Sequence, residues 1–322
     1  MGGLERLRAD LAAIAADAEV VAPDRARAGG VELPVAGASG PVGTLAETLY
    51  ARHYIRPRAD AAPAAQTDAA AFVETLRAAN PVAPRQETWT IAAVDAWGLS
   101  LVDPRGRQRR AAYQEAAPGP GGFAPGQPVT LAAARETMTA PTGHYAVFGR
   151  PIAEPHEGRQ VRFYWNIHPA GAAPLLAALG ARLDRCRIPF QAKVPAHPAG
   201  YARADGGVLY LDAEDVEAAR DILAAAYADM RPSMRPETPM FARPLAPGLA
   251  FAESPPGGES FGMQRCRLVA EGLVEAFVAA AVTPEARVEA ILARVARYGF
   301  DLAAIERNAA TRYPYRLEGL AA

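Results

Sequence analysis

From residue 159 to residue 281 short apolar runs rich in β-branched and aromatic residues alternate with longer runs of helical period. That alternation leaves few folds open to the chain. RQVRFYWNI (159–167) predicts a strand, and GAAPLLAALGARLDRCR (171–187) an amphipathic helix with Leu175, Leu176, Leu179 and Leu183 on one side. IPFQAKV (188–194) and GGVLYLD (206–212) predict two more strands, and Asp212 stands where it can cap a helix running to Met230. A Pro- and Met-rich loop then leads to a helix over 259–281, and Thr283-Pro284-Glu285 opens the last helix with proline at its first position.

The N-terminal half has a different texture. Helices are predicted over 4–19 (Leu4, Leu7, Leu11 and Ile14 on one face), over Thr44–Tyr54 and over Asp68–Ala79, joined by Pro/Ala/Gly-rich connectors at 28–43 and 57–66. Residues 83–150 alternate as strands, turn at Asp103-Pro104-Arg105-Gly106, and close on the strand-like HYAVFGRPI. The expected class is α+β. It comprises an N-terminal helical and small-β part over 1–150 and a C-terminal mixed sheet flanked by helices over 151–322.

Composition excludes several function classes. Lys and Arg number 34 against 35 acids, a formal charge of −1, whereas nucleic-acid binding calls for a basic surplus. Cys186 and Cys266 are too few for a disulfide framework, and neither lies in a metal-ligand spacing; the five histidines stand singly. No metal and no cofactor is expected, because no GxxxxGK[ST], GxGxxG, HExxH or GxSxG occurs. The first residues carry acids within their apolar run, and no uncharged run approaches the roughly 18 residues of a membrane span. A cytoplasmic protein without membrane partners is the expectation.

The informative stretch is IPFQAKVPAHPAGYARADGGVLYLD. Period two puts Phe190 and Ala192 on one face of the strand, Gln191 and Lys193 on the other. A lysine within an apolar strand either lies on a solvated face or has a task or partner. Arg203, Asp205 and Tyr210 follow, readable as a surface salt bridge and its neighbour. Further on, Arg243, Arg265 and Arg267 can bring guanidinium groups toward a helix start behind Gly257-Gly258, a pattern that favours phosphate. Glu253 and Glu259 can equally neutralise those arginines.

The series GHYAVFGR, FYWNI, IPFQAKV, YARADGGVLYL, FARPLAPGLAFAESP and ESFGMQRCRLVAEGLVEAF resembles, in order and spacing, the HopA1-like family over about residues 140–280. LYARHYIRP resembles a segment near that family's N-terminus. The family takes its name from a bacterial type III effector and includes proteins of biosynthetic clusters for ribosomally made, modified peptides. The resemblance implies a lyase that removes phosphate from phosphoserine or phosphothreonine in a precursor peptide, leaving dehydroalanine or dehydrobutyrine. A separate kinase-like phosphotransferase would phosphorylate that peptide first.

By similarity to phosphothreonine lyases, FQAKV supplies the base, Lys193, and FYWNI the strand of the acid, where Asn166 stands instead of histidine. His168 and His144 compete as acids. Arg203, Arg243 and Arg265 are expected on the phosphate, with Asn166, Gln191 and Tyr201 as orienting groups. Such a lysine works only when neutral, its pKa lowered from about 10.4 toward about 7–8 by burial and neighbouring cations. A non-catalytic peptide- or kinase-binding module and an effector-type interaction protein are the alternatives.

Overall fold

A computed structural model describes residues 2–34, 40–57, 68–104, 106, 108–139, 143–152, 158–309, 311 and 313–320. The class is α+β, as expected, and the chain separates into two compact units: 1–81 with 138–322, and 82–137. The expected boundary at residue 150 therefore falls inside the first unit.

The first unit begins with α1 (Gly3–Asp17), which buries Leu7, Leu11 and Ile14. Residues 18–34, which take in the end of the helix expected over 4–19 and the start of the connector expected at 28–43, form a β-meander: β1 (Ala18–Ala22), β2 (Arg25–Ala28) and β3 (Val31–Pro34) pair antiparallel in that order. Residues 35–39, and most of the second connector, lie outside the described residues. The helix predicted over Thr44–Tyr54 is α2 (Gly40–Leu49), continued by a π-helical turn, Tyr50–Tyr54. The next is α3 (Ala69–Ala78), whose N-cap Asp68 accepts a bond from the amide of Ala70.

The second unit holds β4 (Gln86–Asp95), β5 (Gly98–Val102), β6 (Gln108–Ala111), β7 (Ala116–Pro118) and β8 (Pro128–Ala132). They form one antiparallel sheet, β6-β5-β4-β8-β7, whose core is Trp89, Ile91, Leu99, Leu101, Ala111, Val129 and Leu131. Thr–apolar alternation in TWTI and LSL puts those side chains on one face.

The chain leaves this unit through β9 (Glu136–Thr139) and continues with β10 (His144–Phe148), β11 (Gln160–Trp165), α4 (Ala172–Arg185), β12 (Gln191–Pro195) and β13 (Gly207–Asp212). After α5 (Val216–Met230) come β14 (Arg243–Ala246) and β15 (Leu249–Glu253), then α6 (Phe261–Val278) and α7 (Pro284–Arg297). The segment expected as a Pro- and Met-rich loop thus contains a hairpin: Pro244 sits on the edge strand β14, where a missing N–H is tolerated, and Pro247 in the turn that follows. Asp212 starts a single 3₁₀ turn, and α5 begins only at Val216.

The large sheet runs β14-β15-β11-β13-β12-β10-β9. It was expected to be mixed, but its described ladders are antiparallel, and the only parallel contact described is the isolated bridge Arg150–Pro189. β11, β13 and β15 are buried on both faces, which explains their near-continuous apolar runs. Burying the α4 leucines 175, 176, 179 and 183 contributes roughly 1.5–3 kcal/mol each. The opposite sheet face carries Tyr164, Val208, Tyr210, Ala250 and Ala252, in one core with α1, α2, α6 and α7. Ser260 caps α6 by accepting from the Met263 amide, and Thr283 caps α7 in the same way from Ala286.

Candidate active site

Strand register assembles the site. Arg162 on β11 stands opposite Tyr210 on β13, which stands opposite Gln191 on β12; Tyr164 opposes Val208, which opposes Lys193. With period two, these side chains share one face of the sheet. They form the floor of a cavity of about 100 Å³ lined by Arg162, Tyr164, Lys193, Val208 and Tyr210. Tyr50 and Tyr54 from the π-helical turn, Arg203 and Asp205 from the loop before β13, His144 at the start of β10, and Ser260 and Gly262 at the start of α6 complete the lining.

The α6 N-terminus reaches the cavity because residue 262 is glycine. A Cβ there would lie 2.4 Å from Cε1 of Tyr54, so any side chain would force helix and ring apart. Tyr54 stacks on Tyr50 with centroids 5.0 Å apart, and the Tyr50 hydroxyl accepts from Nη2 of Arg203 at 2.8 Å. Arg203 also makes a two-pronged pair with Asp205, with Nη2 donating at 2.8 Å and Nε donating to the second oxygen. The single cavity carboxylate is therefore committed to a single arginine.

The other two cations have no such partner. The Arg162 side chain is buried; Nε donates to Ser254 Oγ at 2.8 Å, and its guanidinium lies 5.3 Å from the Tyr210 ring centroid. Lys193 Nζ lies 5.3 Å from the same centroid. Neither has a carboxylate within 4 Å among the described residues. Three cations against one carboxylate, next to the positive end of an 18-residue helix, make an anion-seeking cavity. The Tyr164 hydroxyl is buried at the same place beside Tyr54 and Arg162, without a hydrogen bond of full geometry among the described residues.

Titration follows the same field. Burial pushes the Tyr210 phenol up, but Arg162 and then Lys193 pull it down, and the net direction is downward. Burial, followed by the Asp205 charge, pushes Tyr50 up to about 12. Burial lowers the pKa of Arg203, but its bond to Asp205 more than offsets this, so the guanidinium stays charged.

Of the residues singled out in the sequence, the cavity brings together Lys193, Arg203 and His144; Gln191 lies on the same face beside Tyr210. The others are elsewhere. Asn166 lies beyond the end of β11, buried, with Nδ2 donating to the Glu237 carbonyl, and the β11 residue in the cavity is Tyr164. His168 is exposed ahead of a 3₁₀ turn. Tyr201 is a core residue whose hydroxyl donates to the Pro195 carbonyl at 2.8 Å.

Arg243 pairs with Glu318. Arg265, 1 % exposed, donates to the carbonyls of Ile305 and Arg307 between the rings of Phe261 and Phe300. Burial pulls its pKa to about 9, which still leaves it protonated at neutral pH. Arg243 and Arg265 therefore lie outside the cavity, and the arginine that lines it beside Arg203 is Arg162. Arg162 was legible by the argument that found Lys193, as a cation amid the apolar strand VRFYW. Tyr50 and Tyr54 lie in LYARHYIRP, on one side of a helical turn.

Among the described residues no group of three or more His, Cys, Asp and Glu side chains could hold a metal ion, and no helix is long and apolar enough to cross a membrane. The family profile described as the HopA1 effector protein family matches residues 137–307. That span includes every cavity residue except Tyr50 and Tyr54. Two solved structures are similar. One is the effector protein from Pseudomonas syringae pv. tomato strain DC3000, 19% identical over 82% of this chain and 90% of that one, with a TM-score of 0.48. The other is the effector protein from Pseudomonas syringae pv. syringae strain 61, 18% identical over 84% and 96%, with a TM-score of 0.47. No curated protein matches the chain.

Proposed function

Since the chain belongs to the HopA1 effector protein family, we propose that it is a lyase acting on phosphoserine or phosphothreonine in a precursor peptide. The observation that carries this reading is the cavity in which the buried Arg162 guanidinium and the half-buried Lys193 have no carboxylate within 4 Å among the described residues. Burying an uncompensated cation costs several kcal/mol, and a bound phosphate dianion offsets that cost. The cavity, of about 100 Å³, has room for a phosphoryl group.

In the proposed reaction Arg162, Arg203 and the α6 N-terminus hold the phosphate, and Lys193 as the neutral amine takes the α-hydrogen. The Cα–H electron pair becomes the Cα–Cβ double bond, the Cβ–O bond breaks, and phosphate departs with that bond's electrons. Two arginines and a helix end, fixed before substrate arrives, stabilise the charge that moves onto the leaving oxygen. The residues need no electron sink for this chemistry. A separate kinase-like phosphotransferase supplies the phosphopeptide, and the dehydroalanine or dehydrobutyrine product remains in the peptide.

Incubation of the protein with serine- and threonine-phosphorylated peptides, followed by mass spectrometry, tests the reading. The expected result is loss of phosphoric acid, 1:1 with formation of the dehydro residue. Tight binding of phosphopeptide without elimination would instead assign a non-catalytic peptide-binding module, and neither binding nor turnover would remove the phosphate reading altogether.

A further inference from the structure

Departure of phosphate from a phosphoserine dianion leaves a trianion unless a proton reaches it; of the two histidines expected to compete as the acid, His168 is exposed and does not line the cavity. The other candidate, His144, does line the cavity, but from the cavity strand farthest from Arg162. His144 is on β10, and the order β11-β13-β12-β10 puts three strand spacings, about 14 Å of backbone, between it and Arg162. Tyr210 is on β13, directly opposite Arg162 and diagonal to Lys193, with both cations 5.3 Å from its ring centroid.

Resting on the lyase reading, we propose that Tyr210 is the acid of the elimination, its phenol protonating the departing phosphate oxygen while Lys193 takes the α-hydrogen. The step balances. The amine of Lys193 becomes an ammonium, the phenol becomes a phenolate, and phosphate leaves as the monohydrogen dianion. Transfer of one proton from the Lys193 ammonium to the Tyr210 phenolate then restores both groups, so the pair resets without solvent.

The surroundings favour such a phenol. Arg162 and Tyr164 face it from β11, Gln191 and Lys193 from β12, Arg203 and Asp205 from the loop, and Tyr50 and Tyr54 from the π-helical turn. Burial and Asp205 oppose the phenolate, whereas Arg162 and then the Lys193 ammonium favour it and prevail in the resting site; once Lys193 is the neutral amine, Arg162 supplies that pull. An acid between the phosphate-holding arginine and the lysine base is where the proton has to be delivered.

Tyr210→Phe keeps the ring, so circular dichroism and thermal melting should match the wild type. Its kcat on a phosphoserine peptide should fall about 10²- to 10⁴-fold with KM changed little. On the matching O-sulfoserine peptide, whose leaving sulfate needs no proton, variant and wild type should agree within about tenfold, since only the acid's contribution of about 10²–10⁴ is dispensed with. A near-ultraviolet titration should show one tyrosinate forming early in the wild type and missing from the variant.

Undiminished kcat of folded Tyr210→Phe on the phosphopeptide, or equal losses on both peptides, would overturn the assignment while leaving the lyase reading intact. Wild-type protein inert on both peptides would instead remove the lyase reading, and the acid with it.

Discussion

Replacing Arg162 by methionine separates a phosphate-binding arginine from a structural one, because the two roles predict opposite signs for stability. The side chain is buried, donates through Nε to Ser254 Oγ at 2.8 Å, and has no carboxylate within 4 Å among the described residues. Methionine matches the aliphatic stem in length and leaves Ser254 its second partner, Gln160 Oε1. The variant loses one charged hydrogen bond, about 1.5–3 kcal/mol, and relieves a buried unpaired charge that costs several kcal/mol.

The net expectation is a free variant as stable as the wild type or more stable by about 1–3 kcal/mol, a melting temperature unchanged or raised by a few degrees. Phosphopeptide affinity should instead fall by about 2–5 kcal/mol, roughly 30- to 4,000-fold. Differential scanning calorimetry with and without phosphopeptide reads both quantities. At ligand near 100 times the wild-type Kd the wild type gains about 2.7 kcal/mol, and the variant should gain less than about 0.9 kcal/mol. A variant destabilised by about 3 kcal/mol or more that still binds phosphopeptide like the wild type would show Arg162 to be structural, and the anion cavity would lose its centre.

Lys193→Arg should bind phosphopeptide and yet lose turnover completely in the mass-spectrometric assay, because a guanidinium keeps its proton and cannot accept the α-hydrogen. Arg265→Met should lower stability by about 3–5 kcal/mol in denaturant titration by leaving the carbonyls of Ile305 and Arg307 unpaired, with specific activity of the folded fraction unchanged. Asp95, held down to about 2 by Arg110 and the Trp97 amide, adds stability that is full above about pH 4 and lost as pH falls toward 2. Acid titration followed by the fluorescence of Trp97 should show that transition in the wild type and not in Asp95→Asn.

Periodicity made the principal elements of the first unit legible, since helices that bury leucines every three or four residues and strands buried on both faces leave strong patterns. What it missed has local reasons. The meander at 18–34 was hidden because β2 and β3 are only four residues each, β2 alternating arginine with alanine and β3 carrying Glu32 and ending on Pro34. The β14–β15 hairpin was hidden because Pro244 and Pro247 flank its turn, and prolines argue against strands except at an edge. The π-helical turn at Tyr50–Tyr54 looks helical in sequence, and nothing in its composition marks the extra residue that turns both tyrosines toward the sheet.

The site was half legible for a related reason. Lys193 and Arg162 obey one rule, a cation within an apolar strand, but Lys193 stood out in a strand that alternates, whereas β11 is buried at every position and its arginine read as part of a run. Sequence proximity then misled in the opposite direction. Arg243 and Arg265 flank the Gly-rich turn before α6, yet one lies on an edge strand facing Glu318 and the other has its guanidinium among C-terminal carbonyls. In an antiparallel sheet the register decides which side chains meet, and β13, returning between β11 and β12, puts Tyr210 between two cations 31 residues apart in sequence. The tyrosine was visible from the start; its two neighbours could be identified only once that register was known.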